Sequence, residues 1–96
     1  MDATFDGELR PEDEFTWFFR AEYAAVVRTV TMITHDSEVA RDVAQEAFIQ
    51  LLRHWRKVSR YDRPDAWVRR VAIRAATRTT RRDLLRTAKE LSLIHI

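Results

Sequence analysis

Arg70, Arg74, Arg78 and Arg81 recur at three- and four-residue spacing, and no acidic residue lies between Ala66 and Arg82. On a helix, at about 100° per residue, their side chains would fall within about 80° of one another. A solvated charged face normally alternates its signs. This one would repel itself unless an anion neutralised it, and a nucleic-acid backbone is such an anion. A second group has the opposite character. Asp42, Gln45, Glu46, Ile49 and Arg53 would share one helix face, an exposed Ile ringed by two carboxylates, an amide and an arginine. That mixture suits contact with a basic protein surface. Catalysis finds no comparable set. His35, His54 and His95 lack HExxH or other metal-ligand spacing, cysteine is absent, and a single glycine cannot build a phosphate-cradling loop. The expected chemistry is recognition, with no enzyme activity, no metal and no cofactor.

The two groups sit in halves of opposite charge. Residues 1–48 hold four basic and eleven acidic residues, and residues 49–96 hold thirteen basic and four acidic. A formal charge of +2 hides this asymmetry, which suggests a basic surface for nucleic acid beside an acidic surface for another partner. Ninety-six residues make one small domain. One Gly and two Pro among many Ala, Leu, Arg and Glu favour helices. The lack of cysteine fits a reducing cytoplasm. No apolar run approaches the ~20 residues a membrane span needs.

The elements that must position these groups follow from periodicity. Phe15, Phe18, Phe19, Tyr23, Val26, Val27, Val30 and Ile33 predict an amphipathic helix from Pro11 or Glu12 to about Ile33. Their aromatics read as a core face. Asp36 or Ser37 can cap a second helix reaching about Lys57, with Val39, Val43, Ala44, Ala47, Phe48, Leu51 and Trp55 on its buried side. Arg56 to Asp65 reads as a loop. Pro64 can open a third helix whose apolar side is Trp67, Val68, Val71, Ala72, Ala75 and Ala76. The expected fold is all-α, a compact bundle of three main helices.

At the second helix the sequence meets a known pattern. The run Asp36-Ser-Glu-Val-Ala40-Arg-Asp42-Val-Ala-Gln45-Glu46-Ala-Phe48, then Trp55, then Pro64-Asp-Ala66-Trp67-Val-Arg69-Arg70-Val-Ala72 and Arg81-Arg82, resembles the second conserved region of bacterial RNA polymerase sigma factors of the sigma-70 family. The compact size and short loop look like the extracytoplasmic-function subgroup. The resemblance covers about Phe15 to Arg82. It implies a transcription initiation factor that docks on core RNA polymerase and recognises and helps melt the minus-ten promoter element. Asp42, Gln45, Glu46, Ile49 and Arg53 would then meet the clamp helices of the largest polymerase subunit. Arg70 and Arg74 stand where the family reads duplex bases, and Trp67 matches the aromatic where the duplex opens. Ser59 to Asp65, with Arg60, Tyr61 and Arg63, matches the segment that captures an unstacked base of the non-template strand. Arg78, Arg81 and Arg82 continue the DNA stripe. An anti-sigma factor is a further partner the resemblance suggests.

Three positions depart from the family pattern. Arg74 stands where Asn is common and Arg78 where an acidic residue is frequent, which keeps phosphate affinity. His35 replaces a frequent Gly at a turn, and His tolerates positive φ better than most residues. Nothing after Arg82 resembles the helix-turn-helix domain that reads the minus-thirty-five element in this subgroup. The expected organisation is a flexible lead-in over 1–11, the helical domain over 12–83 and the start of a linker over 84–90. The tail Leu91-Ser-Leu-Ile-His-Ile96 equals the in-frame reading of CTG TCT CTT ATA CAC ATC, which resembles a sequencing-library adapter. It is expected to be foreign, with the gene cut near Glu90. Two rival readings remain. A generic DNA-binding helical regulator leaves the Asp42/Gln45/Glu46 face unexplained, and a helical interaction adaptor leaves the arginine stripe unpaired.

Overall fold

The structure, a computed structural model, describes residues 10–94. Four helices follow in order: α1 Pro11–Thr34, α2 Ser37–Arg53, α3 Trp55–Val58 and α4 Pro64–Ile94, with no strand among the described residues. The three long helices each pack on the other two, giving the all-α bundle the periodicity predicts.

Pro11 fills the first turn of α1, where a missing N–H costs no hydrogen bond, and Glu12, Asp13 and Glu14 complement the dipole. Val26 and Val30 are fully buried, and Phe15, Phe18, Phe19 and Tyr23 ahead of them are half-buried against the same core. Phe19 meets Phe48 edge-on at 5.0 Å between centroids, and Phe15 meets Trp55 likewise at 5.5 Å. These edge-to-face contacts tie α1 to the far end of α2 and to α3. The core reading of the α1 stripe therefore holds. The expected lead-in falls almost wholly on residues 1–9, outside the described residues, and Pro11 itself is helical.

The α1–α2 corner is built from two residues. His35 ends α1 at φ 57°, in the left-handed region, and its N–H donates to the Thr31 carbonyl at 2.8 Å. It is the one non-glycine residue with positive φ among those described. Asp36 then caps α2, its Oδ1 accepting from the amides of Glu38 at 2.9 Å and Val39 at 3.1 Å. Asp36→Ala should therefore lower stability by about 1 kcal/mol. For a domain of this size that is a fall in thermal midpoint of about 4–8 °C; an unchanged midpoint by circular dichroism would contradict this cap.

Two boundaries differ from the sequence expectation. The second helix does not run unbroken to Lys57. It ends at Arg53, because His54 leaves helical geometry (φ −113°, ψ 15°) and its Nδ1 lies 2.9 Å from the Gln50 carbonyl. The imidazole thus shares the acceptor that the helix would otherwise use alone. The loop also starts later than Arg56. Trp55 and Val58, one turn apart and both buried, make the short helix α3, so the connection is only Ser59 to Arg63. At the other end, α4 outruns the bundle. Its last core residue is Ala76, every described side chain from Arg81 to Ser92 is exposed, and the helix crosses the expected linker without a break.

Candidate nucleic-acid interface

The α4 stripe stands clear of the core. Val68, Ala72 and Ala76 are buried, which turns Arg70, Arg74, Arg78, Arg81 and Arg82 outward, and all five are exposed. None of them forms an ion pair among the described residues. On α4 the arginine that does pair is Arg69, on the flank of the stripe, 3.8 Å from Glu22 and 3.7 Å from Asp65. Between Arg70 and Arg74 lies Ile73, 37 % exposed, in a shallow concavity that these residues share with Ala66 and Arg69. Sequence reading did not single out Ile73. An apolar residue between two arginines can meet a thymine methyl while its neighbours reach base edges or phosphates.

The loop ahead of α4 presents its residues unequally. Arg60 and Tyr61 are exposed, Tyr61 at 42 %. Arg63 is exposed but committed: its Nε and Nη2 donate to the two Asp65 carboxylate oxygens, both at 3.0 Å. The Arg63 hydrogen bonds and charge, aided by the Ala66 and Asp65 amides, hold the Asp65 carboxyl down to about 2. A carboxyl depressed in the folded state stabilises the fold fully above its ordinary value of 3.8. That contribution fades as the pH falls through about 2. It is small here, since solvent screens so exposed a pair. The consequence for binding is larger. Arg63 is neutralised within the chain, whereas Arg60 forms no ion pair among the described residues.

Trp67 has a divided position. It is half-buried against the core and its indole lies 5.9 Å from the His54 ring, centroid to centroid. The helix break at His54 thus provides a wall for the one aromatic on α4. Tyr61, Trp67 and the arginines lie along the loop and α4 in chain order, from the turn to the overhanging helix.

The second candidate face is on α2. Val43, Ala44, Ala47, Phe48 and Leu51 are buried, and Asp42, Gln45, Glu46, Ile49 and Arg53 are exposed on the other side. Leu52 joins them at 54 % exposure, beside Ile49 at 41 %. Leu52 escaped sequence reading because one apolar residue beside buried Leu51 looks like core. At about 100° per residue it lies about 60° from Ile49, just beyond Gln45 at the margin of this face. The patch therefore has a charge-ringed Ile with a second exposed apolar group at its margin, which widens its apolar area beyond a lone Ile.

The free arginines give a quantitative expectation. Arg78→Ala and Arg81→Ala should each lower the slope of log affinity against log salt for duplex DNA by about 0.9. The loss should be similar across sequences, because a phosphate contact carries no base information. Binding isotherms over a salt series test this, and an unchanged slope for both variants would remove them from the interface.

No metal-ligating cluster occurs among the described residues, and no helix among them is long and apolar enough to cross a membrane. Residues 18–87 match the family model described as Sigma-70 region 2. The comparisons with curated proteins and with solved structures give no match.

Proposed function

The chain belongs to the Sigma-70 region 2 family, and from that membership we propose that it docks on core RNA polymerase through α2 and helps open the minus-ten promoter element through the α3–α4 loop and α4. Membership implies a part in transcription initiation and promoter recognition, with core polymerase and promoter DNA as partners. The extracytoplasmic-function subgroup, the clamp helices as the docking point and an anti-sigma factor as regulator belong to this same reading. One observation carries it: one bundle exposes an acidic face with an apolar centre on α2 and an arginine face, unpaired among the described residues, on α4. A protein partner and a nucleic acid can then be held together. Neither rival reading accounts for both faces.

The roles divide by chemistry. Asp42, Gln45, Glu46 and Arg53 ring Ile49 against a basic partner, with Leu52 at the edge. Arg70 and Arg74 approach the duplex at its upstream edge, with Arg78, Arg81 and Arg82 on phosphates. Trp67 stands at the junction where stacking stops, and Tyr61 with Arg60 receives the unstacked base. Arg63 acts by shaping the loop through Asp65.

Unstacking a base costs a few kcal/mol, and stacking it on an aromatic returns ~1–3 kcal/mol per base. One or two such contacts cannot hold a long bubble. Polymerase must therefore retain the rest of the opened strand. The test is co-purification: the chain should elute with core polymerase and bring a promoter fork with it. Elution apart from polymerase would refute the docking half of the proposal.

A further inference from the structure

Trp17 is the aromatic of α1 that the core does not use. Phe15, Phe18, Phe19 and Tyr23 are half-buried on the stripe, whereas Trp17 is 62 % exposed. It lines an open groove of about 770 Å³ between α1 and the α3 end of the bundle. Glu14 and Trp17 contribute to the α1 wall, one helical turn apart, and Trp55, Arg56, Ser59 and Arg60 to the other. Arg56 and Arg60 are exposed and form no ion pair among the described residues. The Trp55 Nε1 is buried with no hydrogen-bond partner, an unmet donor among the lining residues.

We infer that this groove is a second stacking site for single-stranded nucleic acid, with one nucleobase on the Trp17 indole and its backbone held by Arg56 and Arg60. The inference rests on the proposed function, since it extends the path of the opened strand. Two features select a strand as the occupant, and a third sets its orientation. The groove is continuous with the proposed base-capturing loop, because Ser59 and Arg60 line it and Tyr61 follows directly. Its α3 wall carries two free cations next to an exposed indole, the pairing of charge and π-face that single-strand sites use. Glu14 on the α1 wall repels phosphate, so the backbone runs on the α3 side and the base turns toward Trp17.

The experiment compares Trp17→Ala and Trp17→Phe with the parent chain, each bound to core polymerase. Affinity is measured by fluorescence anisotropy of a labelled single-stranded minus-ten oligonucleotide, intact or with one abasic position stepped along it. Trp17→Ala should weaken the intact oligonucleotide at least fivefold, the low end for loss of one stacked base. Trp17→Phe should restore most of that loss. At one abasic position the parent should already be weakened and Trp17→Ala should add nothing further. Arg56→Gln and Arg60→Gln should each lower the salt slope by about 0.7. Unchanged affinity of Trp17→Ala, with Tyr61→Ala still impaired, would overturn the groove while leaving the proposed function standing. Loss of polymerase binding by Trp17→Ala would make the groove a protein contact and overturn it too. No oligonucleotide binding by the parent complex would overturn both readings together.

Discussion

Glu46→Lys is expected to abolish association with core RNA polymerase while leaving the far-ultraviolet circular dichroism of the chain unchanged. Glu46 is exposed on the α2 patch, one helical turn from both Asp42 and Ile49. It forms no ion pair among the described residues, so nothing in the fold depends on its charge. Against a basic partner the substitution exchanges attraction for like-charge contact, which costs several kcal/mol, or at least about a hundredfold in affinity. Leu52→Ala should cost less, about 1–2 kcal/mol, because it removes apolar contact without adding repulsion. The order of the two effects is diagnostic. If Leu52→Ala were harmless and Glu46→Lys only mildly weaker, the partner surface would not be a basic coiled coil meeting this patch.

Tyr61→Ala should reduce strand opening by about tenfold, with duplex binding unchanged, since stacking matters only once a base has left the helix. Permanganate reactivity of unpaired thymines in a polymerase complex is the readout. Tyr61 is the cleaner probe, because it is exposed in the loop and its loss leaves no cavity. Trp67→Ala should impair opening as strongly but also destabilise the bundle, because the indole packs on the core and lies beside His54. Trp67→Phe separates the two effects by keeping most of the packing. Normal permanganate reactivity in both Tyr61→Ala and Trp67→Ala would leave α4 as an electrostatic clamp without a part in melting.

Much of the bundle was legible because burial repeats with the helical period. Val43, Ala44, Ala47, Phe48, Leu51 and Trp55 were readable as one face, and that face is buried. The α4 arginines were readable as a stripe for the same reason, and their isolation from acidic groups follows from composition alone. What periodicity could not supply is where a side chain shares a backbone acceptor. At the end of α2 the His54 Nδ1 and backbone N–H both meet the Gln50 carbonyl, and no spacing rule marks that. Pairing across a helix start was equally hidden. Arg63 and Asp65 are two apart, a separation at which side chains on a helix do not face each other. They meet because Arg63 precedes the first turn of α4 while Asp65 lies within it. Trp17 and Ile73 lie off the apolar stripes of their helices and Leu52 at the border of one, so periodicity left all three unassigned until their exposure was known. The extent of α4 was also underestimated, since the residues beyond Arg82 continue in helix with no core to bury.

The central claim is that polymerase docking and strand capture are separate faces of one small bundle acting together. The most direct measurement is the affinity of the chain–core polymerase complex for a minus-ten promoter fork, whose non-template strand is unpaired, against the same sequence as full duplex. The account predicts binding to the fork at least tenfold tighter, with the preference removed by Tyr61→Ala and all binding of the chain to polymerase removed by Glu46→Lys. Equal affinity for fork and duplex in a complex that retains the chain would contradict it.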